Sequence, residues 1–148
     1  MNHATELLDL GVGDSYRLTF TVGEHSVRPV RRILRMYLVG WGLDGLRDAA
    51  ELALTELVTN VIRHVPDRHC SVLIARREGG VRVEVTDGCP ALPTPVRLRG
   101  LAEHGRGLLL VDAVTDRWDV TVLRDRAGKT IWFECDDREG VGVVAGDP

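Results

Sequence analysis

Glu56, Asn60 and His64 follow one another at four-residue intervals within ELALTELVTNVIRHV, residues 51–65. On a helix this spacing stacks a carboxylate, an amide and an imidazole along one polar face. Three further groups lie downstream. Asp87-Gly88 closes an apolar strand, Gly105-Arg106-Gly107 opens an apolar helix, and Gly128-Lys129-Thr130 opens a strand. A carboxylate fixed on a helix can accept or orient a proton, and an amide oxygen suits a Mg²⁺ that keeps most of its waters. Paired glycines before a helix leave free backbone N–H groups that favour phosphate. No GxxxxGK[ST] sequence occurs, which excludes a P-loop.

The elements that must hold these groups can be read from periodicity. Leu54, Leu57, Val58, Val61, Ile62 and Val65 recur at helical spacing, giving the 51–65 helix an apolar stripe beside its polar one. Taken alone, it is equally an amphipathic helix whose polar face meets water. Asp44 is the expected N-cap and Pro66 the stop. Upstream, Tyr16 to Val22 alternates as a strand, and Ser26 is the expected cap of a helix carrying Val27, Val30, Leu34, Tyr37, Leu38 and Trp41 on one side. Its other side carries Arg28, Arg31, Arg32 and Arg35 at i, i+3, i+4 and i+7. Such a stripe is either a solvated face or a docking surface for an acidic partner.

Ser71–Glu78 and Val81–Asp87 form a hairpin around Glu78-Gly79-Gly80, with Val81, Val83 and Val85 on one face and Arg82, Glu84 and Thr86 on the other. Residues 88–104 hold Pro90, Pro93, Pro95 and Gly100 and read as a long loop of the kind that serves as a lid. A short helix from Leu108 to about Thr115 and strands near Trp118–Leu123 and Thr130–Cys135 follow, joined by a turn at Asp125–Gly128. The order β-α-α-β-β-loop-α-β-β predicts an α+β sandwich, a mixed, mainly antiparallel sheet covered by helices on one face.

Size and composition set limits. The 148 residues suit one domain, expected as a leader over 1–14, a folded unit over 15–136 and a loose tail over 137–148. A net charge of −3 argues against direct nucleic-acid binding as the main task. There is no apolar run of membrane-spanning length, and the acidic start does not read as a secretory signal. Cys70, Cys89 and Cys135 are scattered and unpaired in spacing, which fits a reduced, cytoplasmic setting.

In order and wording, ELVTN…RH, Asp87-Gly88, GRGLLLV and GKTIWFE resemble the N, G1, G2 and G3 boxes of the Bergerat-fold ATPases, the superfamily of gyrase-B-like and histidine-kinase-like ATP-binding domains. The resemblance spans roughly Tyr16 to Cys135 and is strongest to the anti-sigma-factor serine/threonine kinases. It implies a Mg-ATP-dependent protein kinase that acts as an anti-sigma factor. Such a protein binds a sigma factor as a homodimer and phosphorylates a small antagonist (anti-anti-sigma) protein on serine. The alternative within the same fold is a nucleotide-binding module that sequesters a partner without phosphoryl transfer.

By the same resemblance, Glu56 is the catalytic carboxylate and Asn60 holds Mg²⁺. Asp87 accepts the adenine amine beside Gly88, and Gly105, Arg106, Gly107 and Leu108 take the ATP phosphates. Thr130 supports Asp87 from the neighbouring strand. Asp87-Gly88-Cys89-Pro90 departs from the family's DxGxG by placing its glycine one position early. His64 fits a helix-end cap better than a phosphoacceptor, and Lys129, the only lysine of the chain, is expected in solvent at a strand edge.

Overall fold

The computed structural model describes residues 13–91 and 106–138. β1 (Ser15–Thr21) leads through a 3₁₀ turn (Glu24–Ser26) into α1 (Val27–Gly40). A second 3₁₀ turn (Asp44–Leu46) starts α2 (Arg47–His64). β2 (His69–Arg77) and β3 (Gly80–Asp87) follow, then α3 (Arg106–Val114), β4 (Arg117–Val122) and β5 (Lys129–Asp136). The strands form one sheet in the order β1-β2-β3-β5-β4, and every described pairing is antiparallel.

Alternation decides which face of the sheet is covered. Val72 and Ile74 of β2, Val81, Val83 and Val85 of β3, and Ile131 and Phe133 of β5 are all buried. They meet Leu34 and Leu38 of α1, Leu54, Leu57, Val58 and Val61 of α2, and Leu108 and Val111 of α3 in one core. Each such side chain contributes about 1.5–3 kcal/mol when withdrawn from water, so this layer dominates the fold's stability. The opposite face of the sheet is polar. There Glu134 accepts from Arg117 Nε at 2.7 Å and Arg82 Nη1 at 2.9 Å, and the Arg82 guanidinium lies 4.0 Å over the Trp132 ring. Burial is the largest single influence on Glu134 and opposes its ionisation, but the bonds from Arg117 and Arg82 and the charges of Arg77 and Arg117 together hold its carboxyl below the usual range.

The helix starts differ from expectation. Ser26 does not cap α1; it closes the preceding 3₁₀ turn, its Oγ accepting from Gly23 N at 2.9 Å. Asp44 likewise begins a 3₁₀ turn rather than capping α2, whose axis starts at Arg47 without a side-chain cap. In both places a tight turn satisfies the first N–H groups that a capping side chain would otherwise take. In the β2–β3 hairpin the turn is Glu78-Gly79, with Gly79 at φ +70, and Gly80 already belongs to β3. A Cβ on Gly80 would stand 2.3 Å from the Cys135 carbonyl, so glycine lets β3 and β5 close there.

The arginine stripe of α1 is split by its neighbour helix. Glu51 of α2, only 5% exposed, accepts from Arg35 Nε at 2.9 Å and Arg35 Nη2 at 2.8 Å. Arg31 Nη2 adds a longer contact at 3.4 Å, and Arg47 Nε stands 3.8 Å away. The acid missing from α1 therefore comes from α2 and ties the two helices together. Arg28 and Arg32 instead line a surface hollow of about 530 Å³ with Glu24, His25 and Pro29.

Candidate nucleotide site

α2 presents Glu56 and Asn60 one turn apart, both half-buried, with His64 exposed at its last turn. The helix is fixed from behind by Leu54, Leu57, Val58 and Val61, so the polar pair has a rigid mount. The side chains of Glu56 and Asn60 have no hydrogen bond or ion pair to another described residue. No cluster of three or more His, Cys, Asp or Glu able to hold a metal occurs among them either. One amide oxygen beside one carboxylate fits a Mg²⁺ that is carried mainly by phosphate oxygens and water.

α3 packs on α2 through Leu108 and Val111, which are buried. It opens with Arg106 and Gly107, whose backbone N–H groups have no partner within the helix. Gly105 and most of the expected lid, residues 92–105, fall outside the described residues, as do most of the expected leader and tail. A helix start of this kind suits phosphate.

The end of the site expected to read the base is built differently. Asp87 is the last residue of β3 and pairs across the ladder with Lys129 of β5. Both are buried, Asp87 at 4% and Lys129 at 2% exposure. Lys129 Nζ donates to Asp87 Oδ1 at 3.1 Å and to the Cys89 carbonyl at 2.9 Å, while Cys89 N donates to the same Oδ1 at 2.8 Å. The expectation of Lys129 in solvent is thus reversed. Its strand phase explains why: Lys129 shares its face with Ile131, Phe133 and Cys135, and that face is the core.

Thr130 takes the other face. Its Oγ1 lies 2.7 Å from Thr86 Oγ1 on the polar side of the sheet, so it does not support Asp87. The close seam between the strands depends on Gly128, where a Cβ would stand 2.1 Å from the Asp87 carbonyl oxygen. Gly88 is exposed, and a Cβ there would meet nothing within 4 Å. The space beside it is open, and one oxygen of the neighbouring carboxylate, Oδ1, is already engaged. At the base end, then, Asp87 Oδ1 is shared between the Lys129 ammonium and Cys89 N.

A helix-covered antiparallel sheet, with an Asn-bearing helix and a Gly-opened helix on its covered face, defines a Bergerat-type α+β sandwich. The chain belongs to the histidine kinase-like ATPase domain family, whose model matches residues 20–135. Among solved structures it is similar to the RsbU and RsbW domains of Rv1364c from Mycobacterium tuberculosis. That match has a TM-score of 0.59 and 22% identity, over 82% of this chain and 32% of the other. It is also similar to a chain of the SiaB–SiaC complex from Pseudomonas aeruginosa, with a TM-score of 0.60, 13% identity, and 89% and 94% coverage. This chain spans about a third of the matched Rv1364c chain. No curated protein sequence matches it. Among the described residues, no helix is long and apolar enough to cross a membrane.

Proposed function

We propose that this chain is a Mg-ATP-dependent serine/threonine protein kinase that acts as an anti-sigma factor. Its substrate is an anti-sigma-factor antagonist. The observation that carries this reading is the pair Glu56 and Asn60, one turn apart on a rigidly packed helix and unclaimed by other described side chains. Phosphoryl transfer asks mainly for positioning and charge compensation, which such a pair beside a helix N-terminus supplies. ATP, when bound, provides the phosphoryl group, and Mg²⁺ offsets charge on its oxygens. Asn60 would hold the metal through its side-chain oxygen, and the N–H groups at Arg106 and Gly107 would face the phosphates. Glu56 would accept the proton of the attacking serine hydroxyl.

Likeness to structures containing an RsbW domain and a SiaB–SiaC pair supports a protein, rather than a small molecule, as the regulated partner. A sigma factor held by a homodimer completes the proposal, in the cytoplasm and without contact to nucleic acid. The buried Lys129–Asp87 pair favours a second reading, a nucleotide-binding module of the same fold that sequesters a partner without transferring phosphate.

The deciding experiment incubates the protein with γ-labelled ATP and Mg²⁺ alongside candidate antagonist proteins. Label on an antagonist serine, lost in Glu56→Ala, is the expected result. Nucleotide binding without any transfer would replace the kinase by the module.

A further inference from the structure

The two oxygens of the Asp87 carboxylate differ in what they meet. Oδ1 accepts from Lys129 Nζ at 3.1 Å and from Cys89 N at 2.8 Å. Oδ2 has no partner among the described residues, although the side chain is only 1% exposed. A buried acceptor without a donor is costly, so an unpaired carboxylate oxygen marks a place for one. Asp87 continues the face of β3 that Val81, Val83 and Val85 bury, the face that α2 and α3 cover. It therefore stands on the same side of the sheet as the helices that carry Asn60 and Gly107. Lys129 decides which oxygen is left over. It lies directly opposite Asp87 across the β3–β5 ladder, and its second bond, to the Cys89 carbonyl at 2.9 Å, fixes where the ammonium sits.

We propose that Lys129 is a positioning residue for base recognition: by holding Asp87 Oδ1 it leaves Oδ2 as the acceptor for the exocyclic amine of a 6-aminopurine nucleotide. The inference rests on the nucleotide-site reading above and specifies how the base is selected. Ammonium and base amine use different oxygens, so the carboxylate holds both at once. The two donors on Oδ1 fix the rotation of the carboxyl group, a torsion that is otherwise broad. The ammonium also balances a carboxylate that lies out of water, and a buried carboxylate without such a partner takes up a proton instead. A charged acceptor holds its donor roughly twice as strongly as a neutral one. Lys129 thus acts on the base only through Asp87.

The test compares Mg-ATP with the Mg complex of purine riboside triphosphate, which lacks that amine, by calorimetry on the wild type and on Lys129→Met. The wild type should favour ATP by about ten- to a hundredfold, the scale of one hydrogen bond to a charged acceptor. In Lys129→Met the ratio should fall to about threefold or less, with purine riboside triphosphate bound within about threefold of wild type. A merely structural loss would weaken both ligands alike and leave the ratio unchanged, which overturns the inference. A wild type that binds the two ligands equally also overturns it, while leaving the nucleotide site intact. Should the variant not fold, the wild type decides by nuclear magnetic resonance. Lys129 is the sole lysine of the chain, so isotopic labelling of lysine at Nζ yields one side-chain ammonium resonance. That resonance should persist in the Mg-ATP complex and shift more than with purine riboside triphosphate. Its loss on ATP binding, or an equal shift with both ligands, overturns the inference. Absence of binding by either ligand to the wild type removes the nucleotide site itself, and this inference with it.

Discussion

Replacing Glu51 by Gln should destabilise the protein through the α1–α2 joint, although Glu51 lies off the face that carries Glu56 and Asn60. Glu51 is 5% exposed and accepts two hydrogen bonds from Arg35, at 2.9 and 2.8 Å, with Arg31 at 3.4 Å. The bonds from Arg35 come first among the causes that hold its carboxyl below the ordinary value, and they outweigh the burial that opposes ionisation. Loss of hydrogen bonds to a charged group costs about 1.5–3 kcal/mol. The cost should fall short of a fully buried pair, because the side chains of Arg31, Arg35 and Arg47 are 43%, 42% and 43% exposed and rehydrate. About 2 kcal/mol corresponds to a drop in Tm of roughly 4–8 °C for a domain of this size.

The pH dependence gives a second reading of the same pair. Because the folded carboxyl titrates below its unfolded counterpart, its contribution is complete above the unfolded value of about 4.3. It is lost as pH falls through the folded one. Urea melts of wild type and Glu51→Gln should therefore differ by a constant amount from pH 8 to 5, and converge in stronger acid. Arg35→Met should also lower stability, and the double variant should fall little further than the worse single one. A Glu51→Gln stability within about 0.5 kcal/mol of wild type at pH 7, or a gap that widens in acid, would refute the reasoning.

Arg28→Glu with Arg32→Glu should leave stability nearly unchanged, since these side chains line the open hollow. If that face docks an acidic partner, association should slow and lose its salt dependence, read by stopped-flow mixing. Glu56→Ala should retain nucleotide affinity by calorimetry while phosphate transfer slows by roughly 10²–10⁴-fold, and parallel loss of both would make Glu56 structural. Gly128→Ala, whose methyl would stand 2.1 Å from the Asp87 carbonyl, should lower stability by about 1–3 kcal/mol, and a neutral result would disprove the close seam. Burial, with nearby carboxylates adding to it, pushes the Cys70 thiol up to about 11 and Cys135 up to about 12. A disulfide reagent at pH 8 should thus label Cys89 alone in the native protein and all three thiols in denaturant.

Periodicity carried most of the architecture. The valines of β3, the stripe on α2 and the glycine at the β2–β3 turn each obey a local rule that the sequence displays openly. Helix starts were less legible, because Ser26 and Asp44 belong to 3₁₀ turns whose geometry is set by what the chain packs against next. The α1 arginines misled for a related reason: their counter-charge is Glu51, on another helix and invisible to a reading confined to i, i+4 neighbours. Lys129 is the instructive case. Its charge suggested solvent, while its phase with Ile131 and Phe133 pointed inward, and phase prevailed because a carboxylate waits across the ladder. The same alternation sends Thr130 to the opposite face, so both residues could have been placed by extending the β5 pattern one position back.

The strand order has a kinetic consequence. β2–β3 and β4–β5 are hairpins closed by short turns, whereas β3 meets β5 only after the chain has travelled through α3 and β4. Hairpins form quickly from local contacts, and the β3–β5 seam must wait for a larger loop to close. Asp87 and Lys129 stand at the end of that seam, 42 residues apart in sequence. The base end of the site is therefore assembled late, when the C-terminal hairpin docks on the rest. It is equally the place where partial opening of that hairpin would separate carboxylate from ammonium without dismantling the α1–α2 core.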